Sequence, residues 1–381
     1  MSPPPAAPTP DQDLGERLQR AAVDLGLDAL GVAAAEVFES TRSDLVGRKA
    51  EGLHADMQFT YRNPERSTDP AQHLPDARSL VVAALSYLRS DHDTELDEPG
   101  GRVARYVWED HYRELRAKLG ELAEILTAEG WRSRILVDDN ALVDREAAYR
   151  AGLGWYGKNA NLLLPGRGSW FVLGSILTDA PLPSAEPLGD GCGTCTRCLT
   201  SCPTDAIVRP GVIDANRCLA WLVQAKGAFP AEYREALGDR IYGCDDCQEV
   251  CPPNRREARQ LVQLGEDARR PWVPLLEMLR ADDDTLLDRY GVWYIPGREP
   301  RYLRRNALVA LGNSADGRDP SVEDAVRDAL ASEDAMVRAH AVWAAKRLGR
   351  DDLLDLVRRD PDDEVRAELR RDVSPASLAS Q

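Results

Sequence analysis

The sequence predicts an α+β protein of several domains, mixed at the start, cysteine-rich in the middle and all-helical at the end. Helical and extended apolar patterns alternate over the first half, all eight cysteines crowd into residues 192–251, and the chain beyond residue 296 is helical and self-similar. At 381 residues there is room for two or three domains.

The first ten residues include five prolines and read as the start of a disordered tail over residues 1–13. Residues 14–27 have helical apolar spacing, 29–33 are short and strand-like, and 79–87 read as a buried strand. Residues 110–129 form a long amphipathic helix, 132–137 alternate as a strand does, 143–151 are helical up to Gly152 and Gly154, and 170–177 are extended. This succession argues for an α/β domain over residues 14–187, closed by the proline-rich run 180–187. Residues 188–256 hold every cysteine, residues 257–373 make a helical domain entered through a linker at 257–295, and 374–381 is a tail. In the helical part Arg301 to Gly312 (RYLRRNALVALG) lays over Arg338 to Gly349 (RAHAVWAAKRLG), and Val365-Arg366-Ala367 echoes Val337-Arg338-Ala339. Helix pairs recurring at about 30 to 45 residues resemble HEAT-like repeats. An ordinary small helical bundle is the alternative.

The apolar fraction of 43% and charged fraction of 29% are those of a soluble globular protein. The longest apolar run, near residues 79–88, is half of what a bilayer crossing needs. No secretory or twin-arginine leader opens the chain, so a cytoplasmic address without membrane attachment is expected. In a reducing cytosol, clustered cysteines point to metal ligation before disulfides. The net charge of −16 argues against non-specific nucleic-acid binding. It leaves open a local basic groove, for which Arg255-Arg256, Arg269-Arg270 and the stretch Arg301 to Arg305 are candidates.

Cys192-x2-Cys195-x2-Cys198-x3-Cys202-Pro203 is the bacterial ferredoxin run without a deviation. Thiolates two residues apart wrap a tight loop around one cluster, and the fourth, followed by proline, ligates the other. Cys244-x2-Cys247-x3-Cys251-Pro252 repeats the ending of the motif without its first cysteine, and only Cys218 is left to fill that vacancy. The crossing rule assigns Cys192, Cys195, Cys198 and Cys251 to one 4Fe–4S cluster, and Cys202, Cys218, Cys244 and Cys247 to a second. Zinc ribbons also use Cys-x2-Cys pairs, but they do not need this spacing followed by proline, twice. Two adjacent clusters make a wire for single electrons, and the first domain should supply its terminus.

Gly152-Leu-Gly154-Trp-Tyr-Gly157 matches a dinucleotide fingerprint but follows a helix instead of a strand, which weakens that reading. The five histidines (54, 73, 92, 111 and 340) are scattered, and no Asp-x-His-x-x-Gly cobalamin motif is present. The densest polar group, Val137-Asp138-Asp139-Asn140 followed by Arg145-Glu146, stands where a strand hands over to a loop. Asp138 there is either a helix cap or an acid of raised pKa.

Val137-Asp138 through Arg145, Ala151-Gly-Leu-Gly-Trp-Tyr-Gly-Lys158 and Gly168-Ser-Trp-Phe-Val-Leu-Gly174 resemble the epoxyqueuosine reductase family. So do Gly191-Cys-Gly-Thr-Cys195, Cys202-Pro-Thr-Asp-Ala-Ile207 and Ile241-Tyr-Gly-Cys-Asp-Asp-Cys-Gln248. The resemblance runs from about Met57 to Pro252, and the HEAT-like tail is also typical of the family. It implies a cobalamin-dependent iron–sulfur oxidoreductase that reduces the epoxide of epoxyqueuosine at the tRNA wobble position to queuosine, the last step of queuosine synthesis. The first domain would then hold base-off cobalamin, consistent with the missing axial-histidine motif. The resemblance places the catalytic acid on Asp138 and cobalamin contacts on Arg62, Asp138, Leu162, Leu173, Ala220, Cys244 and Asp245, several of them through backbone. Lys226, in the insertion between Cys218 and Cys244, is the expected tRNA contact. The segment Ala55-Asp56-Met57-Gln-Phe-Thr departs from the family's usual Gly-x-Met pattern, and Asn159 stands where some relatives have His.

Partners expected on this reading are tRNA carrying epoxyqueuosine and an external low-potential donor of the flavodoxin or ferredoxin kind, with the protein a monomer. A corrinoid reductive dehalogenase is the second reading, although those usually carry an export signal and lack a repeat tail. A plain diferredoxin-type electron carrier is the third, and it leaves the first domain without a task.

Overall fold

The computed structural model describes residues 11–89, 97–259 and 272–376. Of the expected tails at 1–13 and 374–381, residues 1–10 and 377–381 lie outside the described residues, as do His92 and the Arg269-Arg270 pair, whereas Gln12 and Asp13 open the first helix. The described residues form two compact units, one made of residues 11–89, 109–215 and 246–259, the other of 97–108, 216–245 and 272–376. The units cut across the linear boundaries expected from the sequence, because the chain returns to each unit more than once. Among the described residues no helix is long and apolar enough to cross a membrane.

The first unit is built on four strands, β1 (Ala29–Ala34), β2 (Ser79–Ser86), β3 (Ser133–Val137) and β4 (Phe171–Thr178), in the order β1-β2-β4-β3. Helix and strand alternate along the chain as expected, yet every pairing in this sheet is antiparallel. The succession of elements does not specify that. β2 explains the unbroken apolar run: it lies between β1 and β4, and Leu80 through Ala84 are fully buried, so both of its faces are covered. Leu80, Val82 and Ala84 share a core with Ala147, Ala148 and Ala151 of the helix Asp144–Arg150 and its end.

The helix Gln12–Asp24 starts at Asp11, whose carboxylate accepts the Leu14 N–H at 3.0 Å, and it buries Leu14, Leu18 and Ala22 at four-residue spacing. The helix His111–Ala128 is capped by Asp110 in the same way and buries Leu115, Leu119, Leu122 and Leu126. It closes on the sheet at Gly174, where a methyl group would stand 3.0 Å from Leu119 and 3.1 Å from Leu115. Each fully buried leucine of this kind is worth about 1.5–3 kcal/mol.

The second unit pairs the strand Gly100–Val103 with Arg240–Tyr242 in parallel and with Trp272–Pro274 in antiparallel fashion. The last strand and the helices Leu275–Arg280 and Asp283–Tyr290 occupy much of the expected linker 257–295, which is therefore structured over 272–290. Burial of Leu275, Leu276, Met278 and Leu286 explains why. The helices Arg301–Ser314, Pro320–Leu330, Ala335–Arg347 and Asp363–Arg370 follow. The repeat seen in sequence has a chemical counterpart in an aspartate that each arginine meets beyond the next helical segment. Arg301 lies 3.4 Å from Asp334, and Arg338 donates to Asp360 at 2.7 and 3.0 Å. Arg338 holds the Asp360 carboxyl below the ordinary carboxylate range.

Candidate functional site

β3 and β4 run antiparallel to their last pair, Val137 opposite Gly174, so the chain leaves the sheet at Asp138 beside Leu173. Asp138 makes that exit in the left-handed region, φ +48, which costs a non-glycine residue about 1–2 kcal/mol. Its surroundings hold the turn in place. Arg116 donates to the Val137 carbonyl at 2.5 Å, the Asp139 carboxylate accepts the Ala141 N–H at 2.8 Å, and Arg66 donates to Asn140 Oδ1 at 3.2 Å. The Val143 N–H reaches the Ser67 carbonyl at 3.0 Å. Asp138 is not a helix cap, since the helix Asp144–Arg150 begins at Val143 without a side-chain cap.

Asp138 is open to solvent at its surface, yet the protein packed about its carboxyl raises its pKa; Arg116 pulls it down and Asp110 and Asp139 push it up. Asp144 is half-buried, and its carboxyl is raised well above the ordinary range, first by burial and then by the charge of Asp138. The loop thus brings carboxyls together in a field that favours retaining a proton. His111, in the first turn of the helix after Asp110, is buried with neither ring nitrogen hydrogen-bonded among the described residues, and burial lowers its pKa.

Leu162 is buried in the ribbon Trp155–Tyr156 with Leu162–Leu163, in the core against which Leu173 packs. The Gly154 fingerprint serves this ribbon, because a methyl group there would lie 2.1 Å from the Leu163 carbonyl; close backbone approach explains these glycines without any phosphate. Arg62 is exposed, its N–H on the Gln58 carbonyl at 2.5 Å, just after the positive-φ residues Ala55 and Asp56.

All eight cysteines are half-buried thiols, none in a disulfide. Burial pushes the Cys251 thiol up to about 11, the Asn254 N–H opposes it, and Cys192, Cys198 and Cys195 add to the rise. Cys198 is raised by burial, Cys192 and Cys195. These four thiols therefore feel one another, and they are the four that the crossing rule assigns to one cluster. Cys198 and Cys251, which resist ionisation, stand close to Cys192 and Cys195, and a polycationic iron core would stabilise four such thiolates at once. Among the described residues no three His, Cys, Asp or Glu side chains converge on a single-ion site; a cubane holds its thiols further apart than zinc does. The Ala206 N–H donates to Cys202 Sγ at 3.2 Å, the kind of contact that stabilises a cluster thiolate.

Sequence reading missed the residues that hold these cysteine segments. Lys158 donates to the carbonyls of Gly193 at 2.7 Å and Cys195 at 2.9 Å, and Asn159 donates to the Cys247 carbonyl at 3.2 Å. Asn254 accepts the Ser169 N–H at 2.6 Å and donates to the Gln248 carbonyl at 2.8 Å, while Gln248 donates to Tyr87 and Ser169. Buried amides grouped with a Gly-Ser-Trp segment were the only signal for this network, and their partners are 85 residues apart in the chain.

In the second unit Ala220 lies in the short helix Leu219–Leu222 that starts at Cys218, and its carbonyl accepts from Gln224 at 3.0 Å. Asp245 Oδ2 accepts the Arg105 N–H at 2.7 Å, and Cys244 packs on the core. Lys226 is exposed between Ala225 and Gly227, whose carbonyls both accept from the fully buried Arg305 at 2.7 and 2.6 Å. Arg305 also donates to the Leu222 and Val223 carbonyls, and His340 Nε2 accepts the Phe229 N–H at 3.1 Å. Helical-repeat side chains thus grip the insertion that carries Lys226.

Comparison with known proteins matches residues 67–139 to the family model for epoxyqueuosine reductase QueG, 191–254 to a 4Fe–4S double cluster binding domain, and 293–371 to HEAT repeats. The chain is 32% identical to epoxyqueuosine reductase of Bacillus cereus over 91% of its length and 93% of that protein. It is 34% identical to the Vibrio cholerae enzyme over 87% and 91% of the two chains. Among solved structures it is similar to an epoxyqueuosine reductase crystallised with an epoxyqueuosine-modified tRNA-Tyr stem loop, with a TM-score of 0.84, 30% identity and coverage of 93% and 96%. It is also similar to the Bacillus subtilis reductase with its aspartate-bearing catalytic loop swung out of the active site, with a TM-score of 0.83, 30% identity and coverage of 93% and 97%.

Proposed function

We infer from its place in the epoxyqueuosine reductase family, to which this chain belongs, that Asp138 is the acid of the reaction that family performs. The protein is an oxidoreductase that reduces epoxyqueuosine in tRNA to queuosine, and it carries a double 4Fe–4S cluster domain. The dehalogenase and plain-carrier readings are not favoured by relatives that match along nearly the whole chain under the reductase name.

Removing the epoxide oxygen as water consumes two electrons and two protons. Cobalamin, bound base-off, would supply a low-potential cobalt to deliver the electrons. Arg62, Asp138, Leu162, Leu173, Ala220, Cys244 and Asp245 would contact it. An exposed carboxyl of raised pKa beside the half-buried Leu173 is the kind of edge that suits an apolar corrin face together with a polar substrate. The clusters, on Cys192, Cys195, Cys198 and Cys251 and on Cys202, Cys218, Cys244 and Cys247, would pass electrons singly from an external flavodoxin- or ferredoxin-like donor. Asp138 would hold a proton at its carboxyl and donate it to the leaving oxygen, with the protein packed about that carboxyl and the charges of Asp110 and Asp139 favouring the protonated form. Lys226 would meet the tRNA backbone, and a cytoplasmic monomer would suffice.

The raised pKa of an aspartate held in a strained turn at the strand end carries this reading. The matching test is Asp138→Asn, loaded with clusters and cobalamin under anaerobic conditions and given epoxyqueuosine tRNA. Turnover should fall about 100- to 10,000-fold with cluster content unchanged. Undiminished turnover would remove Asp138 from the role of acid.

A further inference from the structure

We propose that Lys158 is a positioning residue that sets the reduction potential of one cluster, the one held by Cys192, Cys195, Cys198 and Cys251. Its ammonium donates to the carbonyls of Gly193 at 2.7 Å and of Cys195 at 2.9 Å, inside the loop that carries three of those ligands. The lysine is fixed at its own backbone, because its carbonyl accepts the Gly211 N–H at 2.9 Å. The ribbon that bears it packs directly on the cysteine loop, since a methyl group at Gly191 would meet the Trp155 ring at 2.5 Å. Gly193 takes φ +50, a conformation that favours glycine at this contact.

The contact is asymmetric. The next residue, Asn159, reaches the Cys247 carbonyl at 3.2 Å, and Cys247 falls in the other ligand set. This one turn therefore brings a cation to the loop of one ligand set and a neutral amide to the other. Reduction adds one electron to a centre that is already an anion once its four thiolates are counted. A fixed positive charge nearby stabilises the reduced form and raises the potential. With an effective dielectric near 20, a unit charge roughly 12 Å away shifts the redox equilibrium about tenfold, which is about 59 mV for one electron. A charge fixed at such a distance by Lys158 thus holds the potential of its cluster higher by about that amount.

This rests on the assignment of those four cysteines to one cluster. The test is a redox titration followed by electron paramagnetic resonance on the anaerobic full-length protein and on Lys158→Met, Lys158→Gln and Lys158→Arg, with iron and sulfide measured in each. The expected result is two midpoints in the parent, one of them moved negative by a tenfold change or more in the neutral variants and restored in Lys158→Arg. Fully loaded neutral variants with both midpoints unmoved would overturn the proposal. Loss of iron from both neutral variants while Lys158→Arg loads normally would overturn it too, leaving Lys158 a structural clasp alone. Equal movement of both midpoints would instead sink the cluster assignment on which it stands. A parent protein that binds no iron would remove the functional reading itself.

Discussion

Replacing Gly168 by alanine puts a methyl group 1.8 Å from Asn254 Oδ1 and 2.9 Å from the Asn254 backbone nitrogen. Gly166, two residues earlier, has nearly the same backbone angle, φ +75 against +77, but open space around it. Alanine at either position bears the left-handed strain, about 1–2 kcal/mol. Only at Gly168 must the Asn254 amide also move, and that breaks its bonds to the Ser169 N–H at 2.6 Å and the Gln248 carbonyl at 2.8 Å. Each of those buried groups left unsatisfied costs about 1–3 kcal/mol. The expected loss is therefore roughly 3–8 kcal/mol for Gly168→Ala and about 1–2 kcal/mol for Gly166→Ala. The larger figure is a sizeable share of a domain's whole stability. Because Asn254 stands three residues after Cys251, iron should also be lost from the Gly168 variant. Urea midpoints and iron per chain, measured without oxygen, give both readouts. Equal midpoints and equal iron in the two variants would refute the role assigned to the Asn254 network.

Asp144→Asn should change the pH dependence of stability. The Asp144 carboxyl is raised by burial first and by Asp138 second, so its contribution to stability is fully present below its unfolded pKa, about 3.9, and is lost as pH rises through the folded value. The asparagine variant lacks that loss and should gain on the parent between acid and neutral pH; parallel profiles of urea midpoint against pH would count against the carboxyl's burial. Arg305→Met removes the donor from the carbonyls of Leu222, Val223, Ala225 and Gly227. It should cost roughly 2 kcal/mol or more and also weaken binding of the tRNA stem loop, whereas Lys226→Ala should weaken binding at unchanged stability. Stem-loop titrations beside thermal melts separate the two, and a stable Arg305→Met protein with parental affinity would contradict the gripping role.

The alternation of helix and strand in the first half, the spacing of the cysteines, the repeat and an aspartate at the end of the third strand are all legible in the chain itself. Those features are written in local periods and spacings: apolar alternation for β3, x2-x2-x3-Pro for the cysteines, and an arginine that recurs between Arg301 and Arg338. Tertiary structure alone decided that the sheet is antiparallel, that residues 272–290 are built into a core, and that Lys158, Asn159 and Asn254 clasp the cysteine segments. It also decided what surrounds Asp138. Hydrogen bonds such as Asn254 to Ser169, or Arg305 to Gly227, join residues far apart in the chain, and their donors are common residue types with no period of their own. Burial likewise depends on what the rest of the chain packs around a carboxyl. The raised pKa values of Asp138 and Asp144 come chiefly from that packing, and no local pattern in the sequence encodes it.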